Sequence, residues 1–244
     1  MKKLSIIIPV YNEEDYILKV INSVITADAL GLKKEIIIID DGSTDRTAKE
    51  IKIKIKIQKQ NKKKNSCTIL FIEKKKNEGK GAALKTGFKQ ATGDILMVQD
   101  ADSEYSVKDY PALLAPFLKD NASVVYGSRN KQRENFHNRY SYFSFYIGGL
   151  LLTWYINLLY GLRLTDQPTG YKLFSNRVRS FLLIPSENRF SYEVAVTALL
   201  AINKIIFVEV PIHYKPRTME QGKKITTMDF VKSILVGLKY KCIG

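Results

Sequence analysis

Short apolar runs alternate with helical patterns through the first half of the chain. LSIIIPV at 4–10 is brief and β-branched, which predicts a buried strand. Ile17, Val20, Ile21 and Val24 then recur at helical spacing, with Asn12 as the expected cap. EIIIID at 35–40 predicts a second strand, and GSTDRTAKEI opens a second helix capped by Ser43 or Thr44. CTILFIE (67–73), DILMVQD (94–100) and ASVVYGS (122–128) read as three more strands, separated by helical stretches at 79–91 and 107–120. Past residue 128 the alternation fades. A helix at 191–203, a strand at 205–214 and an amphipathic helix from about Thr227 to Lys241 are the later elements expected. No repeat and no linker interrupts the chain, so residues 1–244 read as one domain.

Strands alternating with helices of this length predict an α/β fold, with a parallel sheet covered on both faces. Ligands of such sheets bind beyond the carboxyl ends of the strands. Three strand ends carry polar clusters: Tyr11, Asn12 and Glu13; Asp40, Asp41, Gly42 and Ser43; and Asp100, Asp102 and Glu104. Capping of the next helix would explain one such cluster; three on the same edge point to a ligand. Asp100 and Asp102, two apart at a strand end, can reach one hard divalent cation, for which oxygen ligands suit Mg²⁺ or Mn²⁺. Such a cation would bind a diphosphate. The chain has no P-loop signature and no G-x-G-x-x-G after the first strand, which weighs against nucleotide triphosphatases and dinucleotide enzymes.

Charge changes this picture only in part. The formal net charge is +15, which suggests an anionic partner: nucleic acid, an anionic membrane or a phosphorylated substrate. Much of the excess is local to KEIKIKIKIQKQNKKKN at 49–65. Its Ile/Lys alternation has the period of a strand, whereas the preceding STDRTA favours a helix, and the sequence leaves both open. No nucleic-acid module is recognisable, so no nucleic-acid partner is expected. Cys67 and Cys242 lack metal-type spacing and fit free thiols in a reducing compartment. The opening apolar run is too short for a signal peptide and is followed at once by Glu13, Glu14 and Asp15. The uncharged stretch 140–162 mixes aromatic residues with Ser141, Ser144, Thr153 and Asn157. It reads as an interfacial helix ahead of a core helix or a spanning one.

SIIIPVYNEE, IIIIDDGSTDRT, NEGKGAALKTGF and GDILMVQDAD occur in order over residues 4–102, and together they resemble the successive motifs of family 2 glycosyltransferases. YGSR, DQPTGYKLF, RFSYEVAVTALL, VEVPIHYKPRT and GKKIT resemble one branch of that family, the polyprenyl-phosphate hexosyltransferases of the dolichyl-phosphate mannose and glucose synthase type. The resemblance implies a GT-A fold: a Rossmann-like, mostly parallel central sheet with helices on both faces, plus C-terminal acceptor-side and interfacial helices. Residues 1–128 would form the nucleotide-sugar half and 129–244 the acceptor half.

By the same resemblance, Asp100 and Asp102 hold Mn²⁺ or Mg²⁺ and the donor diphosphate. Glu104 joins them as a further metal ligand. Pro9, Tyr11 and Glu13 contact the nucleoside, Asp41 reads the base, and Lys80 approaches the phosphates. Arg129, Arg139 and Arg217 resemble the acceptor-phosphate arginines, assisted by Lys223 and Lys224; Arg133, Arg163 and Arg189 have no such match. A sugar hydroxyl acceptor needs a general base, whereas a lipid phosphate is already anionic and needs cations to hold it. Asp166 is therefore either a base for a hydroxyl acceptor or an organiser of the acceptor loop. The implied activity is inverting transfer of a hexose from a UDP- or GDP-sugar to a polyprenyl phosphate, at the cytoplasmic face of a membrane held by peripheral contact. GKGAA and the tail lean towards UDP-glucose, with GDP-mannose open. Transfer to a soluble glycan or protein hydroxyl is the alternative.

Overall fold

The first strand, β1 (Lys3–Val10), buries every residue from Leu4 to Val10, as a strand does when both its faces are covered. Successive side chains point to opposite faces. Ile6 and Ile8 join the apolar layer of α1 (Ile17–Thr26), α2 (Thr47–Gln60) and α4 (Tyr110–Lys119). Ile7 joins the opposite layer, with α3 (Lys80–Gln90), α6 (Arg179–Leu183) and α7 (Ser191–Ile202). The computed structural model describes residues 1–60, 67–131, 138, 143–217 and 227–243.

The other strands are β2 (Lys33–Asp40), β3 (Cys67–Glu73), β4 (Ile95–Val98), β5 (Val124–Ser128), β6 (Lys172–Ser175) and β7 (Phe207–Pro211). Among the described residues they form one sheet in the order β3-β2-β1-β4-β6-β5-β7. Pairing is parallel except for β6, which runs antiparallel to both β4 and β5. The expected mostly parallel α/β sheet with helices on both faces is the fold observed. β6 and α6 were not foreseen. Lys172 stands at the head of β6 and interrupts the apolar pattern, yet it is buried because Glu193 receives its ammonium at 3.1 Å. The connection from β1 leads to β2 on one side while β4 lies on the other, so the topological switch point falls at β1 and β4.

Two local expectations are corrected. Asn12 does not cap α1, which begins after Tyr16 without a side-chain cap. Asn12 instead adopts φ 48° and accepts a 2.8 Å hydrogen bond from the Thr44 amide, bracing the loop after β2. Asp45, rather than Ser43 or Thr44, accepts the Thr47 amide at 2.9 Å at the start of α2. At the other end of α1, the buried ammonium of Lys34 donates to the carbonyls of Val24, Ile25 and Ala27 at 3.1, 2.6 and 2.7 Å. A cation there suits the negative end of the helix dipole. Burial nevertheless lowers its pKa.

The lysine-rich run continues α2 to Gln60; positions 61–66 lie outside the described residues. Ile51 is buried and Ile55 packs on the core, while Ile53 and Ile57 are exposed, so the helical period prevails over the strand-like alternation. Within 140–162, α5 (Phe143–Tyr160) buries Leu152 and Ile156 and exposes Leu151, Trp154 and Leu158. It packs against α8 (Thr227–Ile243), where Tyr155 and Tyr160 donate to the carbonyls of Ile234 and Gly237. Among the described residues no helix is long and apolar enough to cross a membrane, which leaves the spanning reading of this segment without support.

Gly87 sets how closely α3 approaches β1. A Cβ there would overlap Ile7 Cγ2, with Ile7 Cγ1 at 3.3 Å. Both atoms belong to a packed branched side chain with no room to retreat. Gly87→Ala is expected to lower stability by about 1–3 kcal/mol, the usual cost of overpacking a core, read from urea denaturation.

Candidate active site

Three strand ends meet over the switch point and line a cavity of about 1190 Å³. Pro9 lies at the end of β1, Tyr11 and Glu13 follow it, Asp41 follows β2, and Asp100 and Asp102 follow β4. Lys80 and Arg129 also line it, as does Arg217. Among the residues expected at the site, the structure thus brings together all but Arg139, which lies outside the described residues along with Arg133, Lys223 and Lys224. Asp166 lies just behind the lining, on Arg129.

Lys80 opens α3 and points inward. Its Nζ lies 2.8 Å from Asp100 Oδ1 and 2.9 Å from Glu193 Oε1, so it is a buried bridge rather than a solvated helix charge. Burial alone would lower its pKa, but the Asp100 and Glu193 charges outweigh it and raise the pKa well above the ordinary lysine value. Burial likewise opposes ionisation of Glu193. Lys172 and Lys80 prevail and hold its carboxyl down to about 2. Glu193, Lys172 and the cavity-lining Arg189 were not singled out from the sequence as site residues. The RFSYE segment that carries Arg189 and Glu193 was the available signal.

Arg217 bridges the ends of β1 and β4. It donates to Glu13 Oε2 at 2.8 Å, approaches Asp102 Oδ2 at 3.5 Å, and lies over the Tyr16 ring at 5.1 Å. The resemblance placed it with an acceptor phosphate; its ion pairs are with the carboxylates that follow β1 and β4. Glu104 supports it, accepting the Arg217 amide at 2.8 Å and the Tyr214 hydroxyl at 2.7 Å. Glu104, expected as a further metal ligand, thus has both carboxylate oxygens engaged by Arg217 and Tyr214. Among the described residues no group of three His, Cys, Asp or Glu converges to hold a metal, which leaves Asp100 and Asp102 as the pair that could do so. Burial, then the charges of Asp100 and Glu104, push the Asp102 carboxyl up to about 7 despite Arg217. Hard oxygens crowded beyond what the nearby cations neutralise are the donor set a divalent cation requires.

Asp41 is nearly fully buried and serves its own backbone. It accepts the amides of Gly79 at 2.6 Å and Glu78 at 3.1 Å, and the Lys74 ammonium at 2.7 Å. These bonds tie the loop that leads into α3, and hence Lys80, to the end of β2. Asp166 accepts Arg129 Nε at 2.8 Å and Nη2 at 2.7 Å, a bidentate pair that occupies both carboxylate oxygens. Its backbone is held in turn by Glu209, which accepts the amides of Thr165 and Asp166. A carboxylate engaged on both oxygens is poorly placed to take a proton from a substrate, so the geometry fits an organiser of Arg129 and not a base.

These features define a class: an α/β sheet whose carboxyl edge presents carboxylates and a buried lysine to a cavity. Residues 5–181 match the glycosyl transferase family 2 description, and the chain belongs to that family. It is 36% identical over 237 residues to the UDP-N-acetylglucosamine–dolichyl-phosphate N-acetylglucosaminyltransferase of Methanococcus voltae, a match spanning 92% of this chain and 91% of that protein. The glucosyl-3-phosphoglycerate synthase of Mycobacterium tuberculosis, solved with Mn²⁺, UDP and glucosyl-3-phosphoglycerate, aligns with a TM-score of 0.66 at 20% identity, covering 100% of this chain and 81% of that one. The same enzyme with Mg²⁺ and UDP gives a TM-score of 0.67 at 19% identity, covering 100% and 80%. At such identities the likeness speaks for the GT-A fold. The chain is a glycosyltransferase.

The raised Asp102 pKa has a definite effect on stability without metal. The folded state retains a proton that the unfolded state releases near pH 4, so stability falls as pH rises from about 4 to 7. With a chelator present, Asp102→Asn is expected to melt several degrees above wild type at about pH 8. The difference should close below about pH 3, where the carboxyl is protonated in both states. Thermal melts at the two pH values check this.

Proposed function

We propose that the chain transfers a sugar from a nucleotide diphosphate donor to a polyprenyl phosphate. The observation that carries this reading is the double character of the cavity. Asp100, Asp102 and Lys80 line it together with Phe145, Leu152 and Phe230 from α5 and α8. A polar floor continuous with an apolar wall suits an acceptor with an anionic head and a hydrocarbon tail. The pairing of Asp166 with Arg129 supports the same acceptor, since a phosphate attacks without a general base. The soluble-hydroxyl alternative loses its candidate base by that pairing.

The archaeal relative makes UDP-N-acetylglucosamine the first donor to test, with UDP-glucose and GDP-mannose, favoured by the sequence motifs, beside it. Asp100 and Asp102 would hold Mn²⁺ or Mg²⁺, the ions present in the Mycobacterium tuberculosis structures. When bound there, the cation supplies Lewis-acid stabilisation of the departing diphosphate. Lys80 stands beside Asp100 with its charge fixed, so it would place an ammonium next to the phosphate oxygens without a proton change. Arg129 lines the cavity with its guanidinium over the Tyr214 ring at 5.1 Å, and it would lie beside the acceptor head. Leu151 and Trp154 on α5 and Leu235 and Leu238 on α8 are exposed, Leu151 also lining the cavity, and we read them as the contact with the membrane that carries the acceptor.

Incubation with Mn²⁺, each of the three donors and a polyprenyl phosphate is expected to yield a lipid-linked sugar with at least one donor, detected by mass spectrometry. Chelation should abolish it. Asp100→Ala should lower turnover on the order of 10²–10³-fold, matching several kcal/mol of lost charge stabilisation. Transfer to a soluble glycan in the absence of any lipid product would overturn the lipid acceptor.

A further inference from the structure

The loop from Thr165 to Gly170 touches both halves of the site and is held along its length. Glu209 accepts the Thr165 amide at 2.9 Å and the Asp166 amide at 3.1 Å. Thr153 of α5 accepts the Gln167 amide at 3.0 Å. Arg129 grips Asp166 and also donates to the Pro168 carbonyl at 3.2 Å. At its far end the Gly170 amide donates to the Tyr105 hydroxyl at 2.7 Å. Tyr105 is buried and stacks on Tyr171 at 4.9 Å and Tyr214 at 5.3 Å, so this last anchor is itself immobilised.

Gly170 meets Asp100 at this anchored end. A Cβ on Gly170 would overlap Asp100 Oδ2 and come within 2.7 and 2.8 Å of Tyr105 ring carbons. The other oxygen of the carboxylate, Oδ1, is held by Lys80 at 2.8 Å. Two contacts thus fix the carboxylate plane: an ammonium on one oxygen and a bare Cα behind the other. Because the loop is tied to Glu209, Thr153, Arg129 and Tyr105, an added methyl would displace the terminal carboxylate rather than the backbone. Torsion of an aspartate side chain is soft, whereas moving the loop breaks several buried hydrogen bonds.

We infer that Gly170 is a positioning residue for Asp100: the missing side chain sets the carboxylate orientation in which Asp100 and Asp102 share a divalent cation. This rests on the reading of Asp100 as a cation ligand. Residues behind a metal ligand commonly change affinity by 10–100-fold when altered, because they orient it. Nothing in the sequence pattern alone separates this role from that of a turn glycine, since the contact joins segments 70 positions apart.

Mn²⁺ binding, followed by the loss of the free-ion electron paramagnetic resonance signal in the presence of UDP, tests the inference without turnover. Four proteins are compared well below their melting temperatures: wild type, D100N, G170A and Y105F. D100N is expected to lose Mn²⁺ binding. G170A should bind Mn²⁺ about tenfold more weakly while keeping the wild-type circular dichroism. Y105F removes the tether on the Gly170 amide without adding bulk, and a smaller weakening in the same direction is expected. A folded G170A with wild-type Mn²⁺ affinity, beside a D100N that has lost it, overturns the positioning role and leaves the ligand reading standing. A D100N that binds as wild type removes both. Should G170A not fold, unchanged affinity in Y105F overturns the role and weakened affinity supports it.

Discussion

Carboxylates crowd the carboxyl edge of the sheet, and the arrangement of the site follows from how they are neutralised. Glu13, Asp100, Asp102 and Glu104 meet where β1 and β4 end. Like charges at such distances cannot all ionise without compensation. Two internal cations provide part of it. Lys80 takes Asp100 from one side, and Arg217 takes Glu13 and Asp102 from the other. Neither suffices for Asp102, whose carboxyl stays raised to about 7. The remaining demand for positive charge therefore sits between Asp100 and Asp102.

The same cations knit the two halves of the chain together. Lys80 belongs to the half that was expected to hold the nucleotide, yet its second partner is Glu193 on α7. Glu193 in turn keeps Lys172, the first residue of β6, charged in a buried position. Arg217 reaches back across the molecule from beyond β7 to Glu13 after β1. Removing one partner of such buried pairs leaves an uncompensated charge, which costs far more than the pair contributes. A boundary at residue 128 is thus a boundary of sequence pattern, crossed by the ion pairs that define the site.

The strands and helices of the first half were legible because burial on both faces writes uninterrupted β-branched runs, and because Ile17, Val20, Ile21 and Val24 mark one helix face. The positions of Asp100, Asp102 and Lys80 at strand and helix ends were legible for the same reason. β6 was not, because it is four residues long and begins with a lysine whose partner is 21 positions away. Glu104 and Asp41 illustrate a different limit. Sequence places both at the rim, but the direction of a carboxylate depends on which donors the fold brings to it. Tyr214 and Arg217 claim Glu104, and the Gly79 amide claims Asp41.

On the proposed reading, the acceptor side would work by a different electrostatic principle from the donor side. Arg129 is paired on both edges of Asp166's carboxylate, so the pair carries little net charge. What it offers a ligand is direction rather than field: a guanidinium plane fixed by Asp166, Pro168 and the Tyr214 ring. The donor side offers the reverse, a concentrated negative field awaiting a cation. Under that reading the asymmetry would help to keep two phosphorylated ligands apart. A strongly positive acceptor subsite would draw the donor diphosphate into the wrong end of the cavity, whereas a neutralised arginine distinguishes ligands by geometry. The loop from Thr165 to Gly170 belongs to both arrangements, since Asp166 orients the arginine and Gly170 stands behind Asp100. A change that shifts this loop would therefore act on both ends of the cavity at once.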